Sequence, residues 1–402
     1  MTPTSSPRSR WFVLAILCLG AFTTALNTTM LSPLVIPISD YFVIPVAAAG
    51  QLSTTTAAFA AATALVMVPW LDRHTRRFWL RLEGLILLLA TMLTAFAPSV
   101  PWLFAARALA GIGGAFIFAV CLAAASDIFS DRLQRNRALS FVGTAATLGA
   151  IMGLPVLTKV EEFAGWRAAV GVTVLLAVTL LAGTFLLEGT HHAGSFPARR
   201  SWFAGYQRVL SDRDSASVQL ANIGLSAVWF GFLIYLGAYA RTEFGYSANA
   251  LALLYIAGGS GEVAGNLAAP LLLRHLPARP AGAALGVILG CSLLLMGRVA
   301  LQGWGLLPLV ATVSLAGASL FTVLTILLID ALPDARGAGT ALLSAGFEIG
   351  GVTGVALAGL LLTISGAYTT AYGALGIVAL TVAALIVAGR ARAISLETQP
   401  VV

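Results

Sequence analysis

Long, continuously apolar segments recur along the whole chain, and they constrain its fold more than any other feature. A helix needs about 20 mostly apolar residues to cross the hydrocarbon core of a bilayer. Twelve segments meet that length, with approximate limits 11–34, 46–70, 78–97, 101–125, 138–158, 166–187, 216–239, 248–272, 281–300, 304–329, 339–363 and 370–389. The pattern predicts an all-α membrane protein with twelve transmembrane helices, and the first segment is expected to be an uncleaved span.

Composition excludes the other broad classes. Only 10% of the residues are charged, whereas a soluble domain carries about 25%. The net charge of +7 is scattered between apolar runs, so no basic face for nucleic acid is expected. Cys18, Cys121 and Cys291 each lie inside an apolar run and are expected to be small buried side chains. His191 and His192 have no accompanying ligand, so neither a metal nor a cofactor is predicted.

The basic residues predict the orientation. With the N-terminus in the cytoplasm, eighteen arginines fall on inside segments, and four cations fall outside, namely Lys159, Arg167, Arg241 and Arg298. This asymmetry predicts that both termini are cytoplasmic. The cations are almost all arginine, which is typical of a GC-rich bacterial genome, so the cytoplasmic (inner) membrane of a bacterium is the expected location.

A weak internal repeat divides the chain into two six-helix bundles. Asp127 and Asp330 end the fourth and tenth segments 203 residues apart, and Arg76 matches Arg279 at the same offset. The predicted domains are therefore an N-terminal bundle over 1–190, a cytoplasmic linker over 191–214, and a C-terminal bundle with a short tail over 215–402. Two halves of the same topology, related by an axis along the membrane normal, are typical of major facilitator transporters.

Local motifs carry the same resemblance. The loop after the second segment reads Asp72-Arg73-His-Thr-Arg76-Arg77, and the fourth segment contains Leu103, Arg107 and Gly111. The fifth segment contains Gly149 and Gly153-Leu154-Pro155, and Gly165-Trp166-Arg167 follows it. Over nearly its whole length the chain resembles the major facilitator superfamily, most closely its drug–proton antiporter branch, known as arabinose-efflux permeases.

The resemblance implies gating roles for two of these motifs. An Asp72 carboxylate would brace the halves against the positive N-terminal end of segment eleven, and the glycine–proline helix would lie between the halves. The gating candidates are Asp72, Arg73, Arg76, Gly149, Gly153 and Pro155. The alternatives are a solvated Asp72–Arg76 salt bridge and ordinary close packing of glycine-rich helices with a proline kink.

Three ionisable side chains inside the segments are candidates for proton coupling, namely Glu348, Glu262 and Arg107. The two glutamates lie among glycines near the expected midplane, whereas Glu83 lies close to the inner end of its segment. Acids within a membrane are rare and usually functional. The alternatives are a permanently protonated glutamic acid between helices, and an Arg107 that extends to the outer interface. The resemblance assigns Arg107 to proton coupling or substrate binding.

The expected substrate cavity involves aromatic and amide side chains of spanning segments. The candidates are Asn27, Trp229, Tyr235, Tyr239, Asn222 and Phe321. Alternatively, each of these side chains simply packs against lipid or against neighbouring helices.

The predicted function is proton-coupled efflux of a small molecule, such as a drug, a sugar or a nucleoside, by alternating access. An importer or a uniporter on the same fold is the alternative. An enzyme is not expected, because the sequence has no H-E-x-x-H motif and no Walker lysine, Lys159 being its sole lysine. A transporter-like sensor would need an added signalling domain. The expected partners are the substrate, protons and the lipid bilayer, with the protein acting as a monomer.

Overall fold

The computed structural model describes residues 7–71, 74–129, 131–186, 211, 213–296, 303–331 and 336–389. Those residues form helices joined by short turns. The helices are α1 (Pro7–Thr29), α2 (Leu31–Phe42), α3 (Val46–Leu71), α4 (Arg76–Ala95), α5 (Val100–Gly114), α6 (Ile117–Ile128), α7 (Arg132–Phe185), α8 (Arg213–Phe244), α9 (Ala248–Leu272), α10 (Ala278–Met296), α11 (Leu306–Ala331), α12 (Arg336–Ser365) and α13 (Tyr368–Ala388), with a 3₁₀ turn at Gly303–Gly305.

The apolar segments of the sequence correspond closely to these helices, and the prediction of an all-helical membrane protein is confirmed. Within the described ranges, nine helices are long and apolar enough to cross a membrane. The longest, α7, contains Gly165 at φ 79° and ψ 170°, a conformation that glycine adopts readily and other residues avoid. Gly165 therefore separates α7 into two helical parts, which match the predicted segments 138–158 and 166–187. The count of twelve spans stays a prediction.

Two predicted segments are each built from two helices. The segment 11–34 is divided at Met30, where α1 ends and α2 begins. Pro33 has no N–H to donate to the carbonyl of Thr29 one turn earlier, so the helix is weakened at this point. The segment 101–125 is divided at Ala115 and Phe116, and Phe116 has the non-helical angles φ −125° and ψ −10°. Proline and clustered glycines, rather than hydropathy, determine where the helices break.

Glycines bring α1 and α7 into backbone contact. A Cβ at Gly149 would collide with the carbonyl oxygen of Phe22, and a Cβ at Gly153 would collide with the side chain of Leu26. The small-x-x-x-small spacing therefore acts as expected for close helix packing in a membrane. The partner helix lies within the same half of the molecule.

The C-terminal half repeats this contact between α8 and α12. A Cβ at Gly350 would meet the carbonyl oxygen of Ile223, and a Cβ at Gly354 would meet that of Ala227. Each of these four residues lies 201 residues after its counterpart in the α1–α7 contact. The offset between the two packing contacts is thus 201 residues, two fewer than the offset of 203 between Asp127 and Asp330 at the helix ends. This equivalence supports two halves of like topology, although the domain limits stay a prediction and most of the linker 191–214 lies outside the described residues.

Candidate functional site

A narrow cleft between the two halves is the candidate site. The space between its lining atoms, including space open to solvent, is about 340 Å³. The side of the bundle on which α1 begins is termed proximal here, and the opposite side distal. The cleft is lined by residues of α7, α8, α9 and α11, namely Ala150, Ile151, Leu154, Trp229, Phe232, Leu233, Leu236, Tyr255, Gly258, Gly259, Glu262, Val310 and Ser314. The predicted antiporter-motif helix α7 therefore faces the other half through Ile151 and Leu154.

Glu262 is the acid of this cleft. Its neighbours Gly261 and Gly265 pack against the carbonyl oxygens of Ala311 and Leu315 on α11, without room for a Cβ. This contact fixes the position of α9 and leaves Glu262, which is half-buried, on the cleft. No described lysine or arginine forms an ion pair with it. A half-buried, unpaired carboxyl group in an apolar cleft can take up and release a proton.

Trp229 also lines the cleft, as the cavity prediction expects. Its ring lies 6.2 Å from that of Phe232, and a Cβ at Gly317 of α11 would be in ordinary van der Waals contact with the Trp229 ring. The remaining lining is mainly aliphatic, with Tyr255 and Ser314 as the other polar side chains. Such a surface suits an apolar or aromatic group with few polar atoms.

Between described residues, the hydrogen bonds that join the two halves lie on the distal side. Ser32 of α2 donates to the backbone carbonyl of Leu233, and its hydroxyl lies 2.7 Å from that of Tyr255. Gln51 of α3 donates to the hydroxyl of Tyr235 at 3.4 Å and to the carbonyl of Val355 at 3.3 Å. These contacts close the distal side.

An ion pair reinforces the same closure. A nitrogen of Arg241 on α8 lies 2.6 Å from a carboxylate oxygen of Glu161 on α7, and the two side chains are only 19% and 14% exposed. Among the ion pairs between described residues, this one joins the two halves.

The comparisons with known proteins identify the fold. The model of the Major Facilitator Superfamily matches residues 17–314, which is more than half of the chain. The chain belongs to the major facilitator superfamily. It is therefore a membrane-embedded secondary transporter of small molecules and not an enzyme. The prediction of the superfamily is confirmed, whereas the antiporter branch is not established.

A solved structure shows the same fold. It is described as the crystal structure of a bacterial homolog to the human lysosomal transporter Spinster, in an inward-facing and unoccupied conformation. The TM-score is 0.70 over 95% of this chain and 96% of that one, with 17% sequence identity. At this identity the likeness concerns the fold alone.

Arg107 of this superfamily member is completely buried inside the N-terminal half. Its two terminal nitrogens donate to Asn27 of α1 at 3.3 Å and to Thr94 of α4 at 3.1 Å. No acid in the described ranges pairs with it. The side chain thus points into the bundle rather than to the outer interface, and Asn27, a cavity candidate, serves here as its hydrogen-bond acceptor.

Two other cavity candidates, Tyr235 and Tyr239, are not among the residues that line the cleft. The hydroxyl of Tyr235 donates to the carbonyl of Ala47 at 3.2 Å and thereby joins the halves. The hydroxyl of Tyr239 donates to the carbonyl of Met296 at 2.8 Å, inside the C-terminal half. Both aromatic side chains are buried.

The proximal part of the C-terminal half holds the remaining candidates. Glu348 of α12 is half-buried and is not a cleft-lining residue. Asn222 is buried against Gly346, and the ring of Phe321 lies 5.7 Å from that of Phe347. The structure therefore brings Glu262 and Trp229 together at the cleft and leaves Glu348, Asn222 and Phe321 apart from it.

The gating candidates are divided between described and undescribed residues. Asp72 and Arg73 lie outside the described residues. Arg76 is the first residue of α4 and forms an ion pair at 3.5 Å with Asp127 at the end of α6. This partner lies on another helix and not in the loop before α4. Gly149 and Gly153 pack on α1, and Pro155 lies within α7.

Sequence reasoning missed three groups of residues. Ser32 with Tyr255 and Glu161 with Arg241 are far apart in the chain, and no local pattern pairs them. Glu83 lies about two turns after the first residue of α4, as predicted, but its complete burial, at 2% exposed, was not anticipated. Its apolar neighbours Leu82 and Leu85 were the available signal.

Proposed function

We propose that this transporter exports a small amphiphilic molecule in exchange for protons. The observation that carries the proposal is the position of Glu262 in the cleft between the halves, opposite α7 of the other half. Water can reach a carboxyl group there from the proximal side when the cleft opens proximally, and from the distal side when it opens distally. Alternating access would then expose the same group to both compartments in turn.

Exchange follows if the substrate and the proton compete for one cleft. The ionised Glu262 would attract a polar or cationic group of the substrate, while Trp229 and Phe232 would contact its apolar part. Protonation from the other compartment would remove the charge and release the substrate. The mainly apolar lining favours an amphiphilic drug over a sugar or a nucleoside.

The other site residues have supporting roles in this proposal. Glu348 is a second proton carrier, and Arg107 is a fixed charge inside the N-terminal half. Asp72, Arg73 and Arg76 form the proximal gate, while Gly149, Gly153 and Pro155 shape the helix that moves at the interface. Asn27, Asn222, Tyr235, Tyr239 and Phe321 support the walls around the cleft.

The setting of this transporter is also part of the proposal. We place the protein in the inner membrane of a bacterium as a monomer, with both termini cytoplasmic. The closed distal side is then periplasmic.

The direction of proton movement distinguishes exchange from its alternatives. The protein is placed in vesicles with a pH-sensitive dye inside, and candidate amphiphiles, sugars and nucleosides are added outside one at a time. An antiporter makes the lumen alkaline as the substrate enters, because protons leave. Acidification would indicate an importer by symport, and substrate entry without a pH change would indicate a uniporter. Either result would overturn the proposal.

A further inference from the structure

Glu83 of α4 lies within the N-terminal half, away from the cleft. Its side chain is 2% exposed, and neither carboxylate oxygen makes a hydrogen bond of normal geometry. An isolated ionised carboxylate in such surroundings is strongly unfavourable, whereas a neutral carboxyl group is tolerated. Burial without a partner therefore favours the protonated form of Glu83 in this conformation.

The helix break in the fourth predicted span lies directly against Glu83. The backbone N–H of Phe116, which precedes α6, faces the carboxyl group. The first N–H groups of a helix lack intrahelical partners and carry partial positive charge. A small movement of Glu83 toward Phe116 would therefore stabilise its ionised form. The site contains features that favour each protonation state.

The surroundings contain no competing charge among the described residues. The thiols in this region are those of Cys121 on α6 and Cys18 on α1, which pack in the same hydrophobic cluster as Trp79. Neither thiol provides a positive charge. Arg76, on the same helix, forms its ion pair with Asp127.

Among the described residues, close packing covers the distal side of Glu83, and aromatic rings cover its proximal side. On its distal side, Gly113 packs so closely against Ile86 and the backbone of Leu87 that a Cβ would lie 2.8 Å from them. On its proximal side, Trp79 lies one helical turn before Glu83 on the same face. The Trp79 ring lies 6.4 Å from that of Phe116 and 5.9 Å from that of the exposed His74. Trp79 and Phe116 thus separate Glu83 from the proximal surface.

We propose that Glu83 and the facing break at Phe116 form a proton-binding site of the N-terminal half, gated from the proximal side by Trp79. The site rests on the proton coupling proposed for Glu262 and Glu348 and adds to it a carboxyl group in the N-terminal half. Opening the Trp79–Phe116 contact would exchange the proton with water on that side, without any contact between Glu83 and the substrate.

Infrared spectroscopy of the full-length protein in phosphatidylethanolamine and phosphatidylglycerol vesicles tests the site without a substrate. The protonated carboxyl stretch is recorded while the pH is raised, for the wild type, Glu83→Gln and Glu83→Asp. We expect a wild-type band that disappears with rising pH, is lost in Glu83→Gln and is displaced in frequency in Glu83→Asp. Glu262→Gln, as the matched control, should retain that band.

Two results would overturn the inference. Titrating bands in both Glu83 variants that are identical to those of the wild type would exclude Glu83 as the carrier. A band that depends on Glu83 but does not change with pH would show that Glu83 is a permanently protonated structural group. If Glu83→Gln does not yield a monodisperse protein, the frequency displacement in Glu83→Asp decides between these results. Failure of the export proposal would leave this measurement unaffected, because no transport is required.

The gate is tested by the rate of hydrogen–deuterium exchange of the same band. Trp79→Ala should accelerate the exchange several-fold, while Trp102→Ala, on the distal side of the same half, should leave it unchanged. An unchanged rate in Trp79→Ala would remove Trp79 from the proposal.

Discussion

Glu161 of α7 and Arg241 of α8 join the two halves of the molecule through an ion pair of 2.6 Å on the distal side. Both side chains are largely buried, so the pair is screened less by solvent than a surface pair. The serine and glutamine contacts lie on the same side. The conformation seen here is therefore held by polar bonds that must break before the distal side can open.

Glu161→Gln is expected to shift the transporter toward the distal-open state. Loss of the charged hydrogen bond weakens closure by about 1–2 kcal/mol, which changes the ratio of the two states roughly five- to thirty-fold. Double electron–electron resonance between labels at Phe163 and Glu243, both exposed, should show longer distances in a cysteine-free background.

Lys159→Gln is the matched control for this substitution. It removes the ion pair between Lys159 and Glu162, which lies within one half and is more exposed, so the distances should stay unchanged. Equal distance distributions in Glu161→Gln and the wild type would show that the pair does not hold the closed state.

Tyr235→Phe should have a similar effect on distal opening. The substitution removes the hydroxyl that donates to Ala47 and accepts from Gln51, and both partners belong to the other half. Each such bond contributes about 0.5–1.5 kcal/mol. Tyr239→Phe removes a bond to Met296 within one half, so it should lower thermal stability without lengthening the label distances. Identical distances in all three proteins would contradict this assignment.

The glycine contacts predict equal sensitivity in the two halves. Gly149→Ala and Gly354→Ala should each lower the melting temperature by several degrees, because the new Cβ would collide with the carbonyl oxygens of Phe22 and Ala227. Gly143 and Gly171 have open space at the Cβ position. Alanine at either of these control positions should leave stability unchanged or raise it by up to about 1 kcal/mol. A stable Gly149→Ala together with an unstable Gly171→Ala would refute the packing account.

The fold was predictable because bilayer thickness imposes long apolar helices whatever their neighbours are. The segment predicted at 248–272 and α9 share the same limits. The breaks at Met30 and Phe116 were not anticipated, since they depend on single prolines and glycines that hydropathy does not weigh. The site was predictable in part: Glu262 and Trp229 line the cleft, but Tyr235 and Tyr239 look alike in sequence and differ only in which half their hydroxyl groups reach.

The predicted orientation can be measured by labelling. Single cysteines are placed at Glu243 and His275, both exposed, after Cys18, Cys121 and Cys291 are replaced by serine. We expect an impermeant maleimide added to intact cells to label position 243 and not position 275. Labelling in the reverse pattern would place the termini in the periplasm and would reverse the assignment of the closed side.

The central claim is that the cleft carboxyl group couples proton movement to transport. Accumulation driven by an imposed pH gradient is measured in vesicles with a compound that passes the proton-flux screen, for the wild type, Glu262→Gln, Glu348→Gln and the double variant. Glu243→Gln serves as the exposed control. We predict that Glu262→Gln abolishes gradient-driven accumulation but retains exchange of labelled for unlabelled substrate, while Glu243→Gln behaves as the wild type. Full accumulation with unchanged pH dependence in Glu262→Gln, or in the double variant, would contradict the account.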